Sequence, residues 1–245
     1  MNSTEYFTGK SKIYDAVRPN YAKKLFDFLA SKVPTNEKVA DIGSGTGIFT
    51  KQLLETGYSV YAVEPNRDMR QVAEEKLKGI TGFTSIDGDA SDTHLKDHSV
   101  ALVTTAQAFH WFDQQKFKKE CQRILQPNGF VAIVYNTRCK SQSTDELIKI
   151  LKKYCANFHG FSNNLTDQDY KNFFNGDCTI FETDNSQYYD EKQYIGRILS
   201  SSYAITPKNK YYQDFVNALR QLFADLSSNG RILMPMKTIV YLGRV

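Results

Sequence analysis

Three glycines alternate with other residues in the stretch VADIGSGTGIFTKQL, which follows a short apolar run. They are Gly43, Gly45 and Gly47, and an acid, Asp41, stands two positions before the first of them. Such a turn lets the backbone approach a ligand closely, and dinucleotides and nucleosides are both candidates. A dinucleotide fingerprint requires G-x-G-x-x-G, but Ile48 occupies the place of its third glycine. A β-branched side chain there would push the helix away from the strand.

The acids near the turn favour a nucleoside that carries an ammonium group. The carboxylate of Asp41 would repel a pyrophosphate, whereas it would attract an ammonium. Glu64 ends the next predicted strand, 21 residues after Gly43. An acid at that place accepts hydrogen bonds from ribose hydroxyls. A ribose and an ammonium without a pyrophosphate describe S-adenosylmethionine.

Short apolar strands that alternate with helices must position these groups. The strands are predicted at KVADI, SVYAVE, GFTSIDG, SVALVTTAQ and FVAIVY, all between residues 35 and 136. This alternation predicts parallel βαβ units, which bind ligands at the carboxyl ends of their strands. We therefore predict an α/β fold with a Rossmann-like, doubly wound and mostly parallel sheet. Seven strands are expected, the last of them antiparallel, with a helical lid inserted.

Helices are predicted on both sides of this region. The stretch RPNYAKKLFDFLASKV predicts an opening helix with Pro19 at its first position. After residue 137 the pattern changes, and STDELIKILKKYCANF begins with a predicted capping box of Ser143 and Glu146. We predict that the chain divides into three segments. Residues 1–137 form a cofactor-binding core with its N-terminal helix, and residues 138–230 form a helical lid or substrate region that is interrupted by a sheet strand near 178–188. Residues 231–245 contain the closing strand of the core sheet.

In order, these motifs resemble the class I S-adenosylmethionine-dependent methyltransferase family. The residues from Asp41 to Gly47 match its acid-x-G-x-G-x-G motif, and Glu64 in VEPN matches the acid that ends the second strand. Asp89 in GDASD matches the acid after the third strand. ILQPNGF resembles the L-x-P-G-G turn before the fifth strand, with Asn128 replacing the first glycine, and asparagine also tolerates positive φ.

The resemblance implies a role for each matched residue. The glycine turn would approach the methionine part of the cofactor, Asp41 would hold the loop and the amino group, and Glu64 would hold the ribose. YDAVRPNY is similar to an entry segment of small-molecule members, in which Tyr14 and Arg18 would close over the methionine end. The other implied cofactor contacts, at the adenine ring or near the sulfonium, are Pro65, Met69, Asp89, Ala90, Ala106 and Gln107.

Structural roles are the alternatives for three of these residues. Met69 could be a core residue of its own helix, because helical methionines often fill gaps. Arg18 could be a surface charge. Asp89 could cap the turn that follows it, alone or together with binding a ligand.

The acceptor is predicted to be a small molecule rather than a nucleic acid. The segment after the fourth strand, TTAQAFHWF, lacks the Asn/Asp-Pro-Pro-aromatic run of enzymes that modify exocyclic amines, and no proline precedes a cysteine anywhere. AQAFHWF and the lid resemble the branch that includes trans-aconitate methyltransferases. The resemblance implies direct in-line methyl transfer. A non-catalytic cofactor-binding protein and a methyltransferase acting on a macromolecule remain alternatives, while Ile48 and Asp41 oppose a nucleotide-dependent oxidoreductase.

His110 and Trp111 in AQAFHWF are the candidate substrate-binding residues. His110 follows the fourth strand, and we expect the acceptor to approach the methyl group from that side. His110 is therefore also the candidate general base. The interpretation we favour is that both side chains pack beneath the lid and shape the pocket, because an anionic acceptor needs no base and proximity can carry the rate.

Composition adds few constraints. The 245 residues carry a formal net charge of +4, spread along the chain without a basic block. No apolar run approaches the roughly 20 residues of a bilayer span, and MNSTEYFTGKSK lacks a signal-like apolar segment. The four cysteines have no metal-site spacing. We expect a cytoplasmic monomer or homodimer, with S-adenosylmethionine as cofactor and without a metal, nucleic acid or membrane partner.

Overall fold

The computed structural model describes residues 18–161 and 165–245, and its nine described strands form two sheets. In chain order the strands are β1 (Lys38–Ile42), β2 (Ser59–Val63), β3 (Phe83–Ile86), β4 (Val100–Ala106), β5 (Leu125–Arg138), β6 (Cys178–Asp184), β7 (Gln187–Tyr189), β8 (Ile232–Met234) and β9 (Met236–Gly243). The main sheet has seven strands in the order β3-β2-β1-β4-β5-β9-β6. β1 to β5 pair in parallel, and β9 runs antiparallel to both of its neighbours. The predicted fold class is therefore confirmed.

Helices cover both faces of this sheet, as the near-continuous apolar strands require. The described helices are α1 (Lys23–Lys32), α2 (Ile48–Thr56), α3 (Arg67–Leu77), α4 (Gln114–Ile124), α5 (Gln142–Tyr154), α6 (Asp167–Phe173), α7 (Glu191–Leu199) and α8 (Tyr212–Leu226), with a short 3-10 turn at Phe109–Trp111. Successive side chains of β5 point to opposite faces of the sheet and pack into different cores. Ile133 belongs to the core under α4, and Val134 belongs to the core under α1 and α2.

The first helix begins later than its sequence pattern predicts. Residues 18–22 form a non-helical strap, and the helix starts at Lys23 rather than at Pro19. The strap is held by tertiary hydrogen bonds that helical geometry would break: the Tyr21 N–H donates to Gln52 Oε1 at 2.9 Å, and the Ala22 N–H donates to the Thr238 hydroxyl at 3.3 Å. The prediction for Pro19 was wrong because these long-range bonds outweigh its local preference.

The cap of α5 also differs from the predicted capping box. Ser141, not Ser143, is the N-cap, and its hydroxyl accepts a hydrogen bond from the Thr144 N–H at 3.2 Å. Glu146 instead pairs with Lys149 at 2.7 Å. Extended backbone at Ser141 directs its side chain toward the open first turn, which is the geometry that an N-cap needs.

The helical insertion has a hydrophobic core of its own. This core joins α5, α7 and α8 to the two-stranded antiparallel sheet of β7 and β8, with Leu151 and Phe215 fully buried. Helix α6 lies in the same stretch of sequence, but its Tyr170 and Phe173 pack into the core of the main sheet. Residues 232–234 pair with β7, so the strand that closes the main sheet starts at Met236. The division into core, lid and closing strand stays a prediction.

Asn128, which replaces a glycine of the expected turn, adopts a φ of 66°. This value confirms that asparagine supplies the left-handed conformation there. The four cysteines are free thiols. Among the residues described, no helix has both the length and the apolar character needed to cross a bilayer.

Gly47 should be far less replaceable than Gly79, although both have positive φ, of 75° and 80°. A Cβ on Gly47 would lie 2.9 Å from Leu77 Cδ1 and 3.2 Å from Ala73 Cβ, whereas a Cβ on Gly79 would meet nothing within 4 Å. Both alanine variants carry a backbone cost of about 1–2 kcal/mol. Gly47→Ala should lose a further ~1–3 kcal/mol of unfolding free energy through overpacking. Urea titration measures both, and equal losses would contradict this account of Gly47.

Candidate cofactor and acceptor sites

The loop after β1 is fixed against the end of β2. The N–H groups of Gly43 and Ser44 both donate to the Val63 carbonyl, at 2.9 and 3.1 Å. A Cβ on Gly43 would stand 2.7 Å from the Cβ of Ala108, so a side chain at this position would displace the segment that follows β4. Glycine is therefore required for the close approach of two loops at the carboxyl edge of the sheet.

Glu64 joins this loop to the start of α3. Its Oε2 atom accepts the Gly45 N–H at 2.8 Å, and its Oε1 atom accepts the Asn66 N–H at 2.9 Å. Burial raises the pKa of this carboxyl, against the opposing effects of the two N–H bonds and the charge of Arg70. Each carboxylate oxygen can accept more than one hydrogen bond, so Glu64 keeps acceptor capacity for a ligand in the cleft that it lines.

Asp41 lies deeper and has neutral hydrogen-bond partners. It is 1% exposed. Its Oδ2 atom accepts from the Thr50 hydroxyl at 2.6 Å and its Oδ1 atom from the Thr104 hydroxyl at 2.9 Å. Burial raises the pKa of Asp41 to about 6; the charge of Glu64 adds to this, and the two hydroxyls oppose it. A cationic group beside Asp41 would stabilise the ionised form.

Most of the predicted cofactor residues surround one cleft at the carboxyl ends of β1, β2 and β4. We call it the cofactor cleft; it encloses about 1500 Å³, including space open to solvent. The predicted residues that line it are Gly43, Gly45, Glu64, Pro65, Met69, Asp89, Ala90, Ala106, Gln107 and Trp111. A smaller adjoining pocket is lined by Arg18 and Asp41 and shares Gly43, Gly45, Ala106 and Gln107 with the cleft. Gly47 lines neither, and Tyr14 lies outside the described residues.

Two of the alternative structural roles have support in the geometry. Met69 is 4% exposed, so it packs in the protein interior while also lining the cleft. Asp89 caps a turn, because its Oδ1 atom accepts from the Ser91 N–H, the Ser91 hydroxyl and the Asp92 N–H. Burial acts to raise the pKa of Asp89, but these hydrogen bonds outweigh it and the pKa is lowered. Asp89 therefore stays ionised at the cleft edge.

Gln107 connects the cofactor cleft to the rest of the molecule. Its φ is 59°, which turns the chain sharply after β4. Its N–H donates to the Val134 carbonyl and its side-chain amide donates to the Asn136 carbonyl, both at 2.9 Å. These two bonds to β5 hold a strained residue in place at the point where the cleft meets the helical insertion.

His110 is a neutral imidazole in this environment. Burial, and then the charge of Arg18, lower its pKa to about 4. Its Nδ1 atom is 3.2 Å from the Tyr135 hydroxyl, and its ring centroid is 4.7 Å from that of Trp111. Since an efficient general base has a pKa near the working pH, this value favours the role of His110 in shaping the pocket.

Sequence reasoning missed two arginines, Arg138 and Arg197, which line a further cavity together with Arg18, His110 and Trp111. A signal for Arg197 was available, because it lies on the apolar stripe of α7 with Tyr194 and Ile198. Arg138 is the last residue of the long strand β5, and no sequence pattern around it indicates a functional role. Within the described residues, no three His, Cys, Asp or Glu side chains are placed to hold a metal ion.

Comparison with known proteins identifies the family. Residues 40–133 match the family described as "Methyltransferase domain". An uncharacterised methyltransferase of Mycobacterium tuberculosis is 36% identical over 125 residues, which are 51% of this chain and 49% of that protein. One of Oceanobacillus iheyensis is 33% identical over 148 residues, which are 58% of this chain and 67% of that protein. The chain thus spans about half the length of the first relatives, and two thirds of the last.

Solved structures show the same fold over nearly the whole chain. A protein of Anaeromyxobacter dehalogenans, proposed to be a type II methyltransferase, superimposes with a TM-score of 0.70 at 22% identity, covering 93% of this chain and 97% of that one. A phosphoethanolamine N-methyltransferase of Haemonchus contortus, solved with S-adenosylhomocysteine, has a TM-score of 0.56 at 18% identity, covering 99% of this chain and 58% of that one.

Asp41 should make the ligand-free protein less stable at neutral pH than an Asp41→Asn variant. The folded-state pKa of Asp41, about 6, exceeds its ordinary value of 3.8. The folded state therefore binds the proton more tightly, and the resulting stability is complete below pH 4 and lost as pH rises through 6. The variant should gain on the wild type across this window by up to about 3 kcal/mol, at ~1.4 kcal/mol per pKa unit. Unfolding titrations from pH 4 to 7 check this, and a pH-independent difference would contradict it.

Proposed function

Because this chain belongs to the methyltransferase domain family, we propose that it is an S-adenosylmethionine-dependent methyltransferase that acts on a small-molecule acceptor. The observation that carries the proposal is the bridge made by Glu64 between Gly45 and Asn66, which presents a buried carboxylate to the cofactor cleft. The narrower likeness to trans-aconitate methyltransferases rests on the AQAFHWF segment and the helical insertion.

The residues of the cleft fit this cofactor. Gly45 has a φ of 57°, and nothing lies within 4 Å of the place where its Cβ would stand. A side chain there would fill space that a ligand can use. Glu64 supplies acceptors for the ribose hydroxyls, Asp41 supplies a negative charge for the amino group, and Arg18 supplies a positive charge for the carboxylate. This donor and acceptor set matches a nucleoside with an amino-acid tail better than a dinucleotide, whose pyrophosphate Asp41 would repel.

Methyl transfer requires mainly that the protein align the acceptor with the methyl group. When bound, the cofactor supplies a methyl group on a sulfonium: the acceptor's electron pair forms the new bond to that carbon while the sulfur keeps the pair of the bond that breaks. Ala106 and Gln107 line the cleft at the end of β4, and Gln107 and Trp111 line both this cleft and the adjoining cavity. Alignment of this kind can account for about 7–11 kcal/mol of the barrier.

The shape of the acceptor side supports a small molecule over a polymer. The cavity that adjoins the cofactor cleft encloses about 740 Å³, including space open to solvent, and the helical insertion forms one of its walls through Arg197, Ser201 and Tyr203. A macromolecular acceptor would have to deliver its reactive group past this wall. A non-catalytic cofactor-binding protein stays the alternative, and a screen of small metabolites for transfer of a labelled methyl group separates the two.

Two ligands distinguish the part of the site that contacts the ribose from the part that contacts the amino-acid tail. S-adenosylhomocysteine carries the adenosine and the amino-acid tail, whereas 5′-methylthioadenosine keeps the adenosine with its ribose and lacks the tail. Glu64→Ala should weaken both by roughly 10- to 100-fold, through loss of charge-assisted hydrogen bonds worth ~1.5–3 kcal/mol. Asp41→Asn should weaken S-adenosylhomocysteine alone. Calorimetry on the folded variants measures each dissociation constant.

Glu75→Gln on the exposed surface of α3 is the matched control, and it should bind both ligands like the wild type. Wild-type binding of NAD in place of S-adenosylhomocysteine would overturn the proposed cofactor. Unchanged binding of both ligands by Glu64→Ala would remove Glu64 from the site and leave the cofactor standing.

His110→Gln should change the Michaelis constant more than turnover. His110 is already neutral between pH 6 and 9, since its pKa is about 4, and an amide can replace its contact with Tyr135. We expect a fall in kcat of less than about 10-fold, whereas removal of a general base costs roughly 10²- to 10⁴-fold. Steady-state kinetics on the acceptor found by the screen decide between these values.

A further inference from the structure

The cavity beside the cofactor cleft, which we call the arginine cavity, holds a concentration of positive charge. It shares Gln107 and Trp111 with the cofactor cleft, so the two spaces meet at the end of β4. The lining residues that matter to its charge and polarity are Arg18, His110, Arg138, Arg197, Ser201 and Tyr203.

Arg138 and Arg197 have weak partners for guanidinium groups in a protein interior. Arg197 is 7% exposed, and its Nε atom has no hydrogen-bond acceptor among the described residues. Arg138 donates to the thioether of Met234 at 2.7 Å, and its guanidinium lies 4.7 Å from the ring centroid of Phe161. A thioether and an aromatic ring attract a cation far less than a carboxylate does.

Arg70 and Arg123, two other arginines of the described chain, pair with acids. Arg70 lies 2.8 Å from Asp87, and Arg123 lies 2.7 Å from both Asp97 and Glu120. The described lining of the arginine cavity contains neither aspartate nor glutamate. Arg138 and Arg197 therefore differ from Arg70 and Arg123, because the described part of their cavity offers no carboxylate.

The guanidiniums of the cavity act on one another. Burial, followed by the charges of Arg18 and Arg138, lowers the pKa of Arg197 to about 9, and burial also lowers the pKa of Arg138. Arg197 still remains protonated at neutral pH. Like charges that converge in a poorly solvated space destabilise the protein unless an anion joins them.

We propose that Arg138 and Arg197 bind an anionic group, a carboxylate or a phosphate monoester, of the methyl acceptor. The proposal rests on the proposed function, because the cavity is an acceptor site only if the adjoining cleft holds the methyl donor. Two planar guanidiniums match the paired oxygens of such groups. With its anionic end held there, the acceptor directs its reactive atom toward Gln107 and the cofactor cleft.

The experiment uses the full chain saturated with S-adenosylhomocysteine. Succinate and glycerol 3-phosphate are titrated as probes, with succinamide and glycerol as their respective neutral matches, and binding is followed by calorimetry and by the melting temperature. We expect at least one anion to bind and to raise the melting temperature, and its neutral match to do neither. Comparison of the affinities for the carboxylate and the phosphate ester shows which anionic group the site prefers.

Variants test which residues are responsible. Arg197→Gln and Arg138→Gln should each weaken the bound anion by roughly 10- to 100-fold. Arg138→Gln should keep S-adenosylhomocysteine affinity within about twofold, because Arg138 lines the arginine cavity alone, whereas Arg197 also lines the small pocket that contains Asp41. Arg197→Lys keeps the charge without the forked donors, so it should bind at an intermediate strength. Arg220→Gln, an exposed arginine of α8 that pairs with Glu191 at 3.4 Å, is the control and should bind the anion normally.

Anion binding that is equal in the wild type and in folded Arg197→Gln and Arg138→Gln overturns the proposal. So does binding of the neutral matches with the same affinity, or direct competition between the anion and S-adenosylhomocysteine. If Arg197→Gln does not fold, Arg138→Gln and Arg197→Lys decide the matter. A wild type that binds S-adenosylhomocysteine but none of the anions refutes this inference alone, whereas one that does not bind S-adenosylhomocysteine refutes the proposed function.

Discussion

The hydrogen bonds that Glu64 accepts from the backbone of Gly45 and Asn66 are the contacts on which the rest of the cofactor side depends. Asn66 is the N-cap of α3, and Gly45 belongs to the turn that leads into α2. One carboxylate therefore sets the distance between two helix starts and the ends of two strands. The partial positive charge of helix N-termini favours its ionised form, against the burial that raises its pKa. The same group that fixes the shape of the cleft provides its acceptors.

In the part of the chain that the structure describes, buried acids and arginines lie near the carboxyl edge of the sheet without forming ion pairs with one another. Asp41 and Glu64 lie at the ends of β1 and β2, while Arg138 lies at the end of β5 and Arg197 on α7 above it. No ion pair between these acids and these arginines is found in the described structure. Each set is left with neutral partners, hydroxyls and backbone N–H groups for the acids and a thioether and rings for Arg138. Buried charged groups without ion-pair partners are expected at a binding site rather than in a core.

Local spacing in the sequence was enough to predict which residues lie together at the candidate cofactor cleft. The turn at Gly43 and the acid Glu64 end successive parallel strands, and parallel topology brings such ends together without further information. Arg138 and Arg197 are distant in sequence and meet only because β5 is long and α7 folds back over it. The start of α1 escaped prediction for a similar reason, since the hydrogen bonds of the strap reach Gln52 and Thr238. Local sequence pattern does not reveal tertiary contacts, and such contacts override the local preference at the start of α1.

The two cavities share a wall whose shape is set by one network. Gln107 lines both, and its side chain donates to the carbonyl of Asn136. The side chain of Asn136 accepts from Thr238 at 2.6 Å and from Asn185 at 2.9 Å, and Asn185 also donates to the carbonyl of Asn20 in the strap beside Arg18. Residues from the strap, β5, β9 and the end of β6 thus form one network around Asn136, to which the side chain of Gln107 is bound. Because Gln107 borders both spaces, the hydrogen bonds that hold it determine the shape of the wall between the two cavities.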